Sequence, residues 1–136
     1  MINNNSQASN YKQIQNPNTQ NSKRYDLEDR TYQFAKRCRD YIKRMPRTIS
    51  NIEYGKQLAR SSGSQAANYI EANESLSKKD FVMRVKICRK ESKESRLWLK
   101  LSDIGDDRDL EKDQKELIQE ATELTSIFSS IIEKSK

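Results

Sequence analysis

The sequence predicts an all-α protein, an up-down-up-down four-helix bundle over residues 25–136 behind a disordered Asn/Gln-rich tail over residues 1–24. Three observations lead there. Charged residues make up 34% and hydrophobic residues 33% of the 136, with only 3 Gly and 2 Pro. That balance suits long amphipathic helices with charged outer faces and is too polar for a β-sandwich. Apolar and small residues recur at alternating spacings of three and four through four segments, and caps, one proline and one glycine divide those segments. A single copy with so little aromatic content buries a modest core, which favours self-association.

The tail holds seven Asn and four Gln with almost no large apolar groups, so nothing in it offsets the entropy of ordering. Helix 1 is expected over about 26–45, with Asp26 as N-cap and Leu27, Thr31, Phe34, Cys38, Tyr41 and Met45 as one seam. Pro46 ends it, because a proline lacks the N–H and biases its predecessor away from the α region. Helix 2 is expected over about 51–73. Ser50-Asn-Ile-Glu53 reads as a capping box, with Ile49 and Tyr54 at the flanking staple positions. Its seam of Gly55, Ala59, Ser62, Ala66 and Tyr69 is mostly small, and Gly63 in mid-helix costs about 1 kcal/mol relative to Ala. Close helix packing would offset that cost. Helix 3, about 78–101, opens on a second box, Ser77 to Asp80, stapled by Leu76 and Phe81. Phe81, Val85, Cys88, Ser92, Ser95 and Leu99 form its seam. After a loop pivoting on Gly105, helix 4 spans about 107–133, acidic at its start and basic at its end in accord with the helix dipole. Leu110, Leu117, Ala121, Leu124, Phe128 and Ile131 form its seam. Ile118, Ile127 and Ile132 widen that apolar surface, either as a broad core face or as a subunit contact.

The absent chemistry is as informative. There is no histidine, which removes the commonest general base and the commonest metal ligand together. Cys38 and Cys88 stand far apart on core positions, so they read as buried thiols rather than a zinc or redox pair. No cofactor, metal or catalytic residue is expected, and the protein is read as no enzyme. With no apolar N-terminal run and no membrane span, a cytoplasmic protein is expected.

Arg60, Ser64, Asn68 and Glu71 fall on one stripe of helix 2, while Glu91 and Glu94 flank the small-residue seam of helix 3. Paired carboxylates can do acid–base work. With no nucleophile or ligand set beside them, an interhelical polar network is the better reading, with Arg60 facing Glu91 or Glu94. Trp98 and Tyr69 sit on helix seams, where packing is the default over base stacking.

One string of residues carries a resemblance. It comprises Gln57-Leu-Ala-Arg-Ser-Ser62, Ser64, Ala67-Asn-Tyr-Ile-Glu-Ala72, Ser77, Lys79-Asp-Phe81, Arg89-Lys-Glu-Ser92 and Lys93-Glu-Ser-Arg-Leu-Trp-Leu99. In these residues the chain resembles the bacterial four helix bundle proteins, also called 23S rRNA intervening-sequence proteins, over about residues 25–135. The tail lies outside the resemblance. The resemblance implies an up-down-up-down bundle that assembles into a ring-shaped homo-oligomer, most often a pentamer, without enzyme activity. Some members are encoded inside insertions within large-subunit rRNA genes. More distantly the chain is similar to the accessory protein of diversity-generating retroelements, a bundle that binds nucleic acid and a reverse transcriptase.

Charge completes the reading. Lys36, Arg37, Arg39, Lys43, Arg44 and Arg47 crowd the end of helix 1 against Asp40 alone. Helix 3 carries nine basic and three acidic groups, including Lys86, Arg89, Lys93 and Arg96, whereas residues 102–136 carry five basic and ten acidic. Two readings stand. The basic flanks contact RNA or DNA phosphates, with salt-sensitive binding, or the acids of helix 4 neutralise them within or between subunits. The net charge of +6 remains after any such pairing. The function expected is therefore an assembly protein whose basic surface contacts nucleic acid; the alternative is a protein–protein interaction scaffold with no nucleic-acid binding.

Overall fold

The computed structural model describes residues 20–136, with side chains from residue 27 onward. Four helices follow one another, α1 Gln20–Arg44, α2 Ile49–Asn73, α3 Lys78–Leu101 and α4 Arg108–Lys134. Each packs against its neighbours in the cycle α1–α2–α3–α4–α1, with α2 against α3 the most extensive interface. Short turns make successive helices antiparallel, so the order is up-down-up-down. No helix among the described residues is long and apolar enough to cross a membrane.

α1 begins six residues before Asp26, so Asp26 is an interior residue rather than the N-cap. The residues from 20 to 24, read from the sequence as tail, are helical; the tail's first 19 residues lie outside the described ones. α1 stops before Pro46, and Thr48 caps α2 by accepting from Asn51 N at 3.1 Å. The cap thus stands two residues earlier than Ser50. Ile49 is 87% exposed and staples nothing, because helical geometry already includes it. At α3 the cap is Ser77, accepting from Asp80 N. Leu76 beside it is 89% exposed while Phe81 is fully buried, so the cap holds without a staple. Asp107 caps α4 through Leu110 N.

The seams of α1, α3 and α4 are buried throughout. α2 differs. Gly55, Ser62 and Tyr69 are buried, but Ala59 is exposed and Ala66 half-buried, since the helix is rotated to bury Leu58, Ser61, Gln65 and Ala72. Burying a leucine contributes more than burying alanine. Gly63 stays in an unbroken helix, yet a methyl group there would meet nothing within 4 Å. The close approach occurs at Gly55, whose added methyl would lie 3.2 Å from Ile42 of α1. On α4 Ile132 is buried, and Ile118 and Ile127 pack on the core edge, so its wide apolar surface serves a broad core face.

Buried polar groups fasten the ends. The Asn51 amide donates to Pro46 O at 2.9 Å and Asp103 O at 2.8 Å, and Asp103 N donates back to Asn51 Oδ1 at 3.0 Å. This ties the α1–α2 turn to the α3–α4 turn. Ser102 gives its proton to Leu99 O at 2.7 Å, so in the 2.5 Å Tyr41–Ser102 contact the tyrosine donates. At the other end Asn73 donates to Glu28 at 2.6 Å.

Candidate nucleic-acid interface

The order of helices decides which charges meet. α1 and α4 are neighbours, and their facing edges carry arginine on one side and carboxylate on the other. Arg30 is bidentate to Glu120 at 2.7 and 2.8 Å and reaches Glu123 at 2.7 Å. Arg37 meets Glu116 at 2.9 Å, and Arg44 meets Asp113 at 2.6 Å. The three arginines are seven residues apart, so they stand in line every two turns. The bonds to Glu120 raise the Arg30 pKa further above its ordinary value. Gln119 first, then Arg30, holds the Glu123 carboxyl below the usual range. On α1's own surface Arg39 bonds Asp40 at 3.0 Å and lowers that carboxyl's pKa.

Of the six basic residues singled out near the end of α1, Arg37 and Arg44 are therefore engaged across the α1–α4 seam, and Arg39 is engaged locally. Lys36, Lys43 and Arg47 are exposed and make no ion pair among the described residues. α3 is different again. Lys86, Lys93 and Arg96 are exposed, Arg89 is half-buried, and none forms an ion pair among the described residues. Both carboxylates of mid-α3, Glu91 and Glu94, are turned the other way, toward Arg60 of α2. α1 and α3 stand diagonally in the bundle, so the two basic sets face opposite directions and do not merge within one subunit.

The α2–α3 side holds a polar clasp. Arg60 donates to both oxygens of Glu91 at 3.2 Å and to Glu94 at 2.8 Å. Ser64 donates to Glu91 at 3.2 Å, and Asn68 donates to Ser64 at 3.1 Å. Glu71 is exposed and outside these contacts. Arg84, outside the polar residues expected there from the sequence, closes the chain by donating to Asn68 at 2.9 Å. It lies seven residues before Glu91 on the same face, a spacing that marks it. The Glu91 bonds raise the Arg60 pKa. Beside the clasp Trp98 stacks on Tyr54 with ring centroids 6.1 Å apart.

The basic face continues to the start of α3. A groove of about 680 Å³ opens there, with Lys78, Lys79, Lys86 and Lys136 around a floor that includes Val82 and Ile132. Lys136 holds Glu133 at 2.8 Å and lowers its pKa. Burial pushes the thiols of Cys38 and Cys88 up to about 12, so both are uncharged at neutral pH. Among the described residues no group of three or more His, Cys, Asp or Glu side chains is placed to hold a metal ion.

Residues 23–130 match the family described as 23S rRNA-intervening sequence protein. The match spans the bundle apart from the first three residues of α1 and the last turn of α4. The chain belongs to this family. No curated protein and no solved structure matches the chain. Within the 23S rRNA-intervening sequence protein fold, the clasp of Arg60, Ser64 and Glu91 joins the two central helices, and the lysines of α3 project on that helix's outer side.

Proposed function

We propose that this chain is a non-enzymatic assembly protein of the cytoplasm whose copies form a ring, five in the form the resemblance implies, and whose α3 face holds RNA or DNA by its phosphates. The observation that carries the reading is the partition of charge. Arg30, Arg37 and Arg44 of α1 face the carboxylates of α4, whereas Lys86, Lys93 and Arg96 stand without ion-pair partners among the described residues and Arg89 acts on Glu133 only at longer range than a salt bridge. A face of one sign attracts phosphates at long range and weakens with salt. Lys36, Lys43 and Arg47 form a smaller patch on the opposite corner. Self-association is supported by the flank of α2 beside α1. Ile52, Ala59, Gly63 and Ile70 form an exposed stripe there, with Ile70 50% exposed and space above Gly63 for another helix. A second copy of the chain is the occupant this stripe fits, because small residues let helices approach closely.

The test is anisotropy titration of labelled single- and double-stranded nucleic acid at about 50 and 200 mM salt, with mass measured by light scattering. Binding at low salt that falls steeply at high salt is expected of a multimer. An intact multimer that binds neither probe at low salt would leave the interaction-scaffold reading in its place.

A further inference from the structure

Lys79, Lys86, Lys93 and Lys100 are each exposed and each seven residues from the next on α3. Seven residues advance an α-helix by about 10.5 Å and return to nearly the same face, drifting only ~20° per step. The four lysines therefore mark a ridge about 32 Å long that turns by about 60° around the helix from end to end. The acids of α3 stay off this ridge: Glu91 and Glu94 bond Arg60 on the α2 side, and Asp80 lies in the capped first turn. Arg89 and Arg96, three residues beyond Lys86 and Lys93, flank the ridge on one side, and Lys90 flanks it on the other.

We infer that this lysine ridge is a docking surface for the backbone of double-stranded nucleic acid. The inference rests on the nucleic-acid reading above and names the partner within it. Two features select a duplex over a single strand. Proteins that hold single strands without sequence preference stack the bases on aromatic rings, and the rings nearest this face are engaged: Trp98 is half-buried against Tyr54 on the α2 side. A duplex keeps its bases stacked on each other and asks only for cations. The ridge is also carried on one continuous helix, and its length is close to the ~34 Å of one duplex turn. Laid along the duplex, it meets phosphates of both strands where they cross it. Contacts of this kind position the protein without reading sequence.

The experiment compares a duplex with a single strand of the same length, on the wild-type chain, on K86Q/K93Q and on the α1 control K36Q/K43Q. All four substituted lysines are exposed, and glutamine has nearly the same helix propensity as lysine. Circular dichroism and light scattering confirm fold and mass in each variant. The duplex is expected to bind more tightly than the strand. The slope of log K against log salt should fall by about 2 for each subunit engaged in K86Q/K93Q, and hold its wild-type value in K36Q/K43Q. Tighter binding of the single strand would overturn the duplex assignment. A slope unmoved by K86Q/K93Q, or moved equally by K36Q/K43Q, would overturn the ridge. Tighter binding of the single strand leaves the α3 face of the broader proposal standing, whereas an unmoved slope with nucleic acid still bound takes the contact off α3. No binding of either probe at low salt would sink both.

Discussion

At the scale of single residues the clasp around Glu91 is the most consequential contact. This carboxylate is only 6% exposed and lies against Arg60 and Ser64. Arg60→Ala would leave it with a hydroxyl as its nearby side-chain donor. A loss of about 1–3 kcal/mol is expected in urea melts, the usual cost of stranding a buried polar group. The exchanged pair R60E/E91R should recover part of that loss; no recovery would mean that the surrounding shape, not the charge pair, holds the site. The thiols give a second expectation. Cys38 and Cys88 have an ordinary value of 9.0 raised to about 12 by burial. A raised value favours the neutral form in the folded state, so this contribution is complete below pH about 9 and is lost as pH climbs toward 12. Native protein at pH about 8 should resist thiol-alkylating reagent and react once unfolded; rapid native labelling would contradict the burial. Residues such as Arg60 and Glu94 were legible because they share helical stripes. The amides of Gln65 and Asn51 were not. Gln65 donates to Thr31 O at 2.8 Å and Asn51 spans two turns, and amide side chains that bond backbone carry no periodic signal in a sequence.

Among the elements, α2 shows how small residues mislead. Three of the four helices expose their core face in the spacing of large apolar groups. α2 offers mainly Ala, Ser and Gly, so its rotation is set by Leu58 and Tyr69 and by polar partners on α1 and α3. Hence the glycine that looked like an internal contact is open, and Gly55 is the crowded one. Gly63→Ala should raise the stability of a single subunit by about 1 kcal/mol, the propensity difference. Gly55→Ala should gain less, because its methyl meets Ile42 at 3.2 Å and Met45 at 3.4 Å. Equal gains at both positions would contradict this packing. The α1–α4 seam supplies a pH expectation of opposite sign from the thiols. Glu123 has a lowered value, held first by Gln119 of α4 itself and then by Arg30 across the seam, so its contribution is present above the ordinary carboxylate range and is lost as pH falls through the lowered value. Acid and high salt should therefore loosen α1 first, seen as faster amide exchange along Arg30–Arg44 than in α3. Uniform loosening would show that the arginine line does not govern that seam. The line itself was hidden in the sequence. Charge totals suggested that α4 could neutralise α1, but which arginines meet which acids depends on helix rotation.

For the whole molecule, the order of helices was readable because each boundary carries its own local chemistry: Pro46, the Ser77 cap, Gly105 and the acidic start of α4. The division of the surface was not, since it emerges only when the diagonal placement of α1 and α3 separates two basic patches of similar composition. Under the proposed function, that division would tie assembly to binding. If copies form the proposed ring, several of the proposed lysine ridges would act on one nucleic acid, and linked weak sites gain ~10²–10⁴ over each alone. Gly63→Gln tests the link: it keeps the net charge, leaves the ridge untouched and fills the open space over the α1–α2 flank. Within one subunit the longer side chain meets no neighbour near its Cβ, so the fold should hold by circular dichroism. Mass in solution should fall toward one subunit, and apparent affinity for a long duplex should drop by ~10²-fold or more. K86Q/K93Q should do the reverse, keeping the mass and losing affinity through the salt slope. If Gly63→Gln keeps its full mass, this flank is not where copies meet. If mass falls while affinity holds, each ridge acts alone, and the ring adds nothing to the grip.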